Sequence, residues 1–402
     1  MKVFHIELAK TGRGLSGGEK CTVELIKYLK NKKIKNILVT TDNGKETYIE
    51  LGLKEDEFLR YITITTDWTE KKFHIFLSYL IRIFYFPKIK KQIIQLINKN
   101  EDILMAHSDF FPNTIPTKIL SKYFKKKPYF WFHMVSPNIF KGYEGHFLNK
   151  FQLPSLAIIH YKLNQFLFKL MTRKGIIITV NPYYKNIFPN RKTYILNKFG
   201  GEEIYIVKKY LGVRTIEGKK IMEKEKTFDL VFMGRFHKQK GLFEIPKILR
   251  YLKEQKKDIK LLLIGGGDKK IEDKFFKLAE KEGVKENISY IGFISSNKKF
   301  DYIRDSKVFI FPSYYESFGQ VVLEAMANGL PVVAYDLPVY CVFKKGMIKV
   351  PILDNKKFAE EIMKLLKNKS YYNKKSKEAL DYASTFSWDK TGEEIYKLIK
   401  NG

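Results

Sequence analysis

The sequence predicts an α/β protein with two Rossmann-like domains that face each other across a cleft. Short apolar segments alternate with segments of helical periodicity along the 402 residues, which is typical of parallel sheets flanked by helices. A chain of this length is too long for one ordinary core and suits two domains. Apolar residues make up 45% of the sequence without a long polar interruption, so each half can bury a core.

Strand-like segments follow one another through the first half. Lys2–Leu8 is predicted to open a sheet and to lead through a glycine-containing loop into a helix from about Gly18 to Lys30. The further predicted strands are Ile37–Thr40, Ile103–Ala106, Tyr129–His133 and Ile176–Val180. Strands that alternate with helices in this way form parallel sheets.

Two more helices are expected between these strands. Pro87 is predicted to close an apolar stretch, with a helix over Lys88–Lys99. Ser155 as N-cap and Gly175 as stop signal delimit another helix. The apolar residues on one face of that helix are Leu156, Ile159, Leu163, Phe166, Leu167 and Leu170.

The second half shows the alternation more clearly. Its predicted strands are Asp229–Met233, Lys260–Ile264, Ile288–Ile291, Val308–Phe311 and Pro331–Ala334, and its predicted helices are Leu242–Lys256, Ile271–Glu282 and Gly319–Ala327. Weak periodicity between about Asn197 and Thr227 marks a linker. We therefore expect domains at 1–197 and 198–385, with a helix in 386–402 that packs back on the first domain.

The formal net charge of +31 is distributed unevenly. Residues 71–200 carry 22 Lys and Arg against 4 Asp and Glu, whereas residues 1–70 are nearly balanced. One interpretation is a lysine-rich surface without a specific partner. The other is an anionic partner, such as a membrane surface or a lipid-phosphate acceptor, and the helix before Gly175 has basic flanks at Lys162, Lys169, Arg173 and Lys174. No nucleic-acid-binding signature accompanies the charge, so we expect no nucleic acid partner.

A glutamate pair is the strongest local signal for chemistry. Glu316 follows a predicted strand, Gly319 opens a helix, and Glu324 lies on that helix. The free amides of residues 317–320 suit an anion such as a diphosphate. A carboxylate on either side of those amides suits a ligand that has hydroxyls at both ends of its diphosphate.

The segment 312–333 around this pair resembles the Glu-x7-Glu signature of glycosyltransferase family 4, whose members are retaining enzymes with the GT-B fold. The resemblance covers nearly the whole chain and is densest in residues 228–334. It implies that Glu316 contacts the sugar of a nucleotide-diphosphate sugar and that Glu324 binds the ribose hydroxyls. The other donor-binding residues that it implies are Gly17, Gly18, Gly234, Gly265, Gly267, Phe293, Ser317, Phe318 and Gly319.

Two cations precede the glutamate pair in the segment 233–241. Arg235 and Lys240 follow a strand and precede a helix, which places positive charge where a leaving diphosphate would accumulate negative charge. They resemble the family's Arg and Lys that bind the donor phosphates. The chain has no Asp-x-Asp metal motif, so we expect neither a metal nor another cofactor. At residues 334–340 the sequence departs from the family's glycine-rich turn, which affects sugar recognition.

Three residues of the first half complete the expected site. Gly17 and Gly18 resemble the family's Gly-Gly loop, and their lack of side chains lets the backbone approach a ligand. His133, at the end of a strand, resembles the family's histidine in an aromatic context and would orient the donor sugar. His107 is a weaker candidate.

The resemblance implies a metal-independent, retaining glycosyltransferase of the hexosyltransferase type. The sugar would pass from a nucleotide-diphosphate sugar to an acceptor hydroxyl on a glycan, a lipid-linked glycan or a small molecule. The resemblance implies front-side attack, with a leaving-phosphate oxygen taking the acceptor proton. The alternatives are a nucleotide-sugar epimerase of the same fold and a non-catalytic nucleotide-sugar-binding protein.

The expected location is the cytoplasm, either free or peripherally at the inner face of the membrane. Cys21 and Cys341 share no spacing typical of a metal site or a disulfide framework, which fits a reducing compartment. The first residues are predicted to form a strand and do not resemble a signal peptide. No run of 18 uncharged apolar residues occurs.

Overall fold

A computed structural model describes residues 1–11, 17–140, 156–188, 191–196, 226–294 and 298–401. The chain divides into two compact units. Unit 1 takes the described residues up to 196 together with those from Trp388 onward, and unit 2 takes the described residues 226–387. The expected N-cap Ser155 and nearly all of the expected linker at 197–227 lie outside the described residues.

Unit 1 is built on a seven-stranded sheet in which every neighbouring pair is parallel. Its strands are β1 (Lys2–Glu7), β2 (Lys35–Thr41), β3 (Leu59–Ile64), β4 (Ile103–Ala106), β5 (Tyr129–Phe132), β6 (Ile176–Thr179) and β7 (Thr193–Ile195). They lie in the order β3-β2-β1-β4-β5-β6-β7. Because β1 pairs with β2 on one side and β4 on the other, the strand order reverses at β1.

Unit 2 repeats this plan with six parallel strands. They are β8 (Phe228–Met233), β9 (Leu261–Ile264), β10 (Ile288–Tyr290), β11 (Ser306–Phe311), β12 (Val332–Tyr335) and β13 (Met347–Val350), in the order β10-β9-β8-β11-β12-β13. The order reverses at β8, which pairs with β9 and β11. The prediction of two Rossmann-like α/β units is therefore confirmed.

Helices cover both sheets. In unit 1 they are α1 (Gly17–Asn31), α2 (Asp42–Glu50), α3 (Trp68–Lys72), α4 (Ile75–Gln95), α5 (Phe111–Leu120) and α6 (Leu156–Met171). In unit 2 they are α7 (Ile245–Gln255), α8 (Lys269–Lys281), α9 (Lys299–Arg304), α10 (Gln320–Ala327), α11 (Asn355–Lys367) and α12 (Lys369–Ala383). Among the described residues, no helix has both the length and the apolarity that crossing a membrane requires.

The last helix, α13 (Trp388–Asn401), packs against α1 of unit 1. Gly392 lies so close to Tyr28 that an added Cβ would be 2.3 Å from the ring atom Cγ. The Tyr28 hydroxyl donates to Glu393. Trp388, Ile395 and Ile399 are buried, so the inner face of α13 forms part of the unit 1 core.

The predicted helix break at Pro87 is wrong, because α4 continues through this residue. Proline has no N–H to donate within a helix and normally kinks or ends it. Here Phe86, Ile89 and Ile93 are buried in one core cluster with the apolar residues of β1 and β2. Tertiary packing on both sides of Pro87 therefore outweighs its local preference.

The apolar face predicted for α6 divides between core and solvent. Leu167 packs on a cluster that contains Tyr79 and Phe111. The buried residues of α6 are His160, Asn164 and Phe168. The other predicted face residues, Leu156, Ile159, Leu163, Phe166 and Leu170, are exposed. Packing against α4 and α5 therefore accounts for Leu167 and leaves an apolar stripe on the outer side of α6.

Candidate functional site

The candidate residues of unit 2 lie at the carboxyl edge of its sheet. Gly234 directly follows β8, Gly265 directly follows β9, and Glu316 lies in the segment after β11. The reversal of strand order at β8 opens a crevice at this edge, which is where open α/β sheets bind ligands. The fold thus brings together residues that are up to 90 positions apart in the sequence, from Gly234 to Glu324.

Two glycines allow the loops at this edge to approach closely. Gly265 has φ 132°, and a Cβ on it would lie 1.9 Å from the Gly234 carbonyl oxygen. Gly241 has φ 65°, and a Cβ on it would lie 1.7 Å from the Pro312 carbonyl oxygen. Any larger residue would clash with backbone at either position. The loops after β8, β9 and β11 therefore meet through glycine.

Lys240 and Glu316 form an ion pair at the centre of this edge. Lys240 Nζ lies 2.6 Å from Glu316 Oε1, and the Ser313 hydroxyl donates to the same oxygen at 2.6 Å. Glu316 is 8% exposed and the Lys240 side chain 18%. Two donors on one carboxylate oxygen hold Glu316 in a single orientation. Ser313 is a residue that the sequence did not reveal, since an isolated serine in a loop carries no signal.

Gln239 connects the two loops that carry this pair. Its side-chain amide donates to the Tyr315 carbonyl at 2.6 Å, and its own carbonyl accepts from the Tyr314 amide at 2.9 Å. These bonds fix the distance between the segment after β8 and the segment after β11. Gln239 was also missed, because only the fold shows what it reaches.

Helix α10 presents its amino terminus at the same edge. Gly319 is its N-cap, with φ 95°, and no side chain among the described residues caps the helix there. Gln320 Nε2 and the Tyr340 hydroxyl are buried and have no hydrogen-bond partner within the described part of the chain. Burial, and then the charge of Glu316, raises the pKa of Tyr340 well above its usual value, so the phenol keeps its proton. Uncapped amides and orphaned polar atoms are what an anion-binding helix terminus leaves for its ligand.

Glu324, on α10, is paired with a lysine that the sequence did not identify. Lys299 Nζ lies 2.9 Å from Glu324 Oε2, and the glutamate is buried to 7% side-chain exposure. Lys299 lies in α9, 25 residues earlier, without a distinctive motif. A buried carboxylate is costly unless it is paired, so Lys299 allows Glu324 to occupy this position.

The remaining candidates of unit 2 differ in exposure. Arg235 is exposed and makes no ion pair or hydrogen bond with the described residues. Phe293 is 77% exposed, beyond the end of β10. Phe318 is buried against Phe343 and Phe386, so its ring belongs to the core and only its backbone is available to a ligand. Gly267 and Ser317 lie at this same edge, after β9 and before α10.

The candidates of unit 1 also meet at the carboxyl edge of their sheet. Gly17 and Gly18 begin α1, and a Cβ on Gly18 would lie 3.3 Å from His133 Nε2. His133 Nε2 is 2.8 Å from the His107 carbonyl oxygen. A carbonyl only accepts, so Nε2 carries the proton and Nδ1 is the acceptor of the neutral ring. Burial lowers the pKa of His133, which favours this neutral form.

His107 has a structural role in a chain of neutral groups. His5 Nε2 donates to Asn36 Oδ1 at 2.9 Å, because the amide nitrogen of Asn36 is engaged with backbone carbonyls. His107 Nε2 then donates to His5 Nδ1 at 2.7 Å, and Thr22 donates to His107 Nδ1 at 2.9 Å. Burial lowers the pKa of His5 to about 4 and that of His107 well below its usual value. Both ring nitrogens of His107 are therefore occupied.

A buried acid completes this chain. Glu7 lies 3.4 Å from the Thr22 hydroxyl and accepts from the Asn113 amide at 3.1 Å. Burial, followed by the charge of Glu19, raises the pKa of Glu7 to about 8. Asp109, after β4, behaves similarly, with burial raising its pKa to about 7. Neither acid was predicted from the sequence, since each lies among apolar or uncharged neighbours in the chain.

Within the part of the chain that the structure describes, no three or more His, Cys, Asp or Glu side chains are grouped so as to hold a metal ion.

Comparison with known proteins bears on both units. Residues 213–382 match the family model described as Glycosyl transferases group 1. A glycosyltransferase of Methanocaldococcus jannaschii is 26% identical over 343 residues, which cover 82% of this chain and 82% of that protein. Another glycosyltransferase of the same organism is 36% identical over 110 residues, or 26% of each protein. These similarities support the prediction that the chain is a glycosyltransferase.

A solved structure extends the likeness to the fold of the whole chain. HepE from Anabaena in complex with UDP has a TM-score of 0.68 at 14% identity, with 100% of both chains covered. At this identity the likeness shows the fold and nothing finer. This chain therefore has the GT-B fold, the glycosyltransferase fold with two Rossmann-like units, as the sequence predicted.

Proposed function

We propose that this chain is a retaining glycosyltransferase that moves a sugar from a nucleotide-diphosphate sugar to an acceptor hydroxyl. The observation that carries the proposal is the Lys240–Glu316 pair beside the uncapped amino terminus of α10. A cation, a fixed carboxylate and the amino terminus of α10 at one sheet edge match a ligand that has a diphosphate next to a sugar. The UDP complex of the HepE structure is consistent with a nucleoside diphosphate as the ligand of this fold.

In the proposed reaction the bond between the sugar C1 and the diphosphate oxygen breaks while the acceptor oxygen bonds to C1 on the same face. The acceptor proton passes to the departing phosphate oxygen, so the products are a glycoside and a nucleoside diphosphate. Arg235 and Lys240 stabilise the charge that develops on the leaving group, together with the α10 amides. This step uses no metal and no enzymic nucleophile.

We assign a role to each of the other candidate residues in unit 2. Glu316 positions the sugar, and its bonds to Lys240 and Ser313 fix the carboxylate before substrate arrives. Glu324 binds the ribose hydroxyls. Gly265, Gly267 and Phe293 lie beside the nucleotide, where glycine permits close backbone approach. These assignments follow the resemblance to glycosyltransferase family 4, and membership of that family is part of the proposal.

Unit 1 would bind the acceptor. His133 is neutral and directs its protonated nitrogen to a backbone carbonyl, so Nδ1 can accept a hydrogen bond from a substrate hydroxyl. Gly17 and Gly18 lie at the start of α1, where Gly18 closely approaches this ring, and their proposed ligand is the donor.

A release assay tests the proposal. The full-length protein is incubated with UDP-, GDP- and ADP-sugars, with and without hydroxyl acceptors, and the nucleoside diphosphate and the sugar products are measured. We expect acceptor-dependent release with one nucleotide class, a product of retained anomeric configuration, and unchanged rates with EDTA. Isomerised donor without acceptor dependence would identify an epimerase, and strict metal dependence would contradict the role given to Arg235 and Lys240.

A further inference from the structure

Exposed apolar side chains are concentrated in unit 1. Of the sixteen large apolar residues that are exposed in the described part of the chain, fourteen lie in unit 1 and two in unit 2. The most exposed of those in unit 1 are Phe84 of α4 at 81%, Leu156 of α6 at 72% and Phe166 of α6 at 59%. Soluble surfaces scatter such residues singly, whereas clusters mark contact with a partner or a membrane.

These residues form stripes on two adjacent helices. On α4 the stripe consists of Leu77, Leu80 and Phe84, and on α6 it consists of Ile159, Leu163, Phe166 and Leu170. The helices meet through His160 of α6, whose ring centroid lies 5.2 Å from that of Phe76 and 5.5 Å from that of Tyr79 on α4. We call these two stripes together the apolar surface.

The two helices that carry the apolar surface contain lysines and arginine but no Asp or Glu. Residues 73–100, 110–140 and 156–188 have no Asp or Glu, and they include Lys88, Lys90 and Lys91 on α4 and Lys162 and Lys169 on α6. Cations that border an apolar helix face without anions between them match a surface that is apolar beneath and negatively charged above.

A basic cavity begins where the α6 stripe ends. Met171, the last residue of α6, lines a cavity of about 650 Å³ together with five lysines between Lys118 and Lys127, Arg173 and Lys174. The cavity lies at the amino ends of β5 and β6, since Pro128 and Gly175 also line it. It is therefore at the opposite edge of the sheet from His133 and Gly18.

We propose that unit 1 docks on an anionic lipid bilayer. The apolar surface enters the boundary between headgroups and acyl chains, and the basic cavity binds lipid phosphates. A second copy of this chain fits less well, because a two-fold contact would place the same unpaired cations against each other. A nucleic acid would meet the cations but would leave Phe84 and Phe166 unmatched.

Vesicle flotation of the full-length protein tests this. With vesicles of phosphatidylglycerol and phosphatidylcholine at low salt we expect the protein to float, and with pure phosphatidylcholine or at high salt we expect it to stay in solution. Replacing Phe84→Gln and Phe166→Gln together should weaken partitioning by at least about tenfold. Replacing Lys125, Lys126 and Lys127 by Gln should weaken it by roughly a hundredfold, because each surface cation adds about fivefold.

Matched variants in unit 2 serve as controls. Tyr302→Gln removes an exposed aromatic residue, and replacing the exposed Lys356, Lys369 and Lys377 by Gln removes the same charge. Equal losses in these controls would overturn the proposal, as would a wild-type protein that stays soluble at low salt. A dimer in sedimentation that dissociates on Phe84→Gln, without vesicle binding, would assign the surface to self-association instead. Nucleoside diphosphate binding, measured without vesicles, tests the donor site separately.

Discussion

The two sheet edges share a topology but use their titratable groups in opposite ways. In unit 2 the groups are ion-paired, with Lys240 on Glu316 and Lys299 on Glu324, and Arg235 extends into solvent. In unit 1 Lys10 is paired with Glu19, but Glu7 and His5 are buried and held neutral, since burial raises the pKa of Glu7 to about 8 and lowers that of His5 to about 4. A fixed charged edge suits a diphosphate, whereas a neutral, hydrogen-bonded edge suits hydroxyl groups.

The difference originates in the residues on and next to the first strand of each sheet. After β8 the chain places Arg235 and Lys240 in a tight turn that Gly241 makes possible. Within β1 the chain instead places His5 and Glu7 among the partners Asn36, Thr22 and Asn113. The same strand order therefore yields two chemically distinct edges, and substitutions in each should have different effects.

The largest expected effect is on the charged edge. Lys240→Met should weaken nucleoside diphosphate binding by about tenfold to a hundredfold, because it removes a charge-assisted contact of roughly 1.5–3 kcal/mol. Arg235→Ala should act in the same direction. Lys375→Met is the matched control, since Lys375 is also ion-paired and 22% exposed. Calorimetric titration with UDP, GDP and ADP measures the change in affinity. An equal loss of affinity in the control would show that Lys240 does not bind the diphosphate.

The two glutamates should separate binding from turnover. Glu324→Gln should weaken binding of the free nucleotide and raise the donor KM, because the ribose is present in both ligands. Glu316→Gln should leave free-nucleotide affinity nearly unchanged and lower kcat, since its proposed partner is the sugar. Titrations and steady-state kinetics of both variants measure these quantities. The same loss of free-nucleotide affinity in both would show that the roles are wrongly assigned.

The neutral edge should show its effect in the pH dependence of stability. Glu7 keeps its proton up to about pH 8 when folded, but only up to about 4.5 when unfolded. Unfolding therefore releases a proton between these values, and stability falls as pH rises through this window, by at most about 1.4 kcal/mol per pH unit. Glu7→Gln should remove this loss between pH 7 and 8, where His5 and His107 are neutral in the folded protein and mostly neutral when unfolded.

Thermal unfolding at several pH values measures the effect of Glu7→Gln. Glu57→Gln, an exposed glutamate of the same unit, is the control and should keep the wild-type slope. A Glu7→Gln variant that loses stability between pH 7 and 8 as steeply as the wild type would show that Glu7 is charged in the folded protein.

The sequence predicted the central strands of both sheets and missed strands at their edges. β3, β7 and β13 were not predicted, and each lies at the end of its sheet order, whereas the edge strand β10 was predicted. In β13 only Val350 is buried, and in β3 the exposed Arg60 interrupts the apolar run. An edge strand has one neighbour and more solvent, so its sequence carries a weaker apolar signal.

The candidate site was predictable where a motif concentrates its residues. Glu316 and Glu324 belong to one segment, and Arg235 and Lys240 to another. Lys299 and Ser313 carry no such signal, because their relation to the glutamates exists only after folding. Pro87 shows the opposite error, in which a strong local preference was overruled by the burial of Phe86 and Ile89.

The smallest expected effect concerns Tyr340, whose buried hydroxyl has no partner within the described residues. An unsatisfied buried hydroxyl costs about 1–3 kcal/mol, so Tyr340→Phe should raise the thermal midpoint of the free protein. If this hydroxyl donates to the diphosphate at the α10 amino terminus, the same variant should also weaken nucleotide binding by roughly fivefold. A Cβ added to Gly319 would lie 3.1 Å from the Tyr340 ring, which places the phenol beside that terminus.

Thermal unfolding and titration with UDP, GDP or ADP test Tyr340→Phe. We expect the thermal midpoint to rise and the nucleotide affinity to fall. A stabilised variant with unchanged nucleotide affinity would show that Tyr340 lies outside the donor site, and its hydroxyl would then be only a cost to the fold.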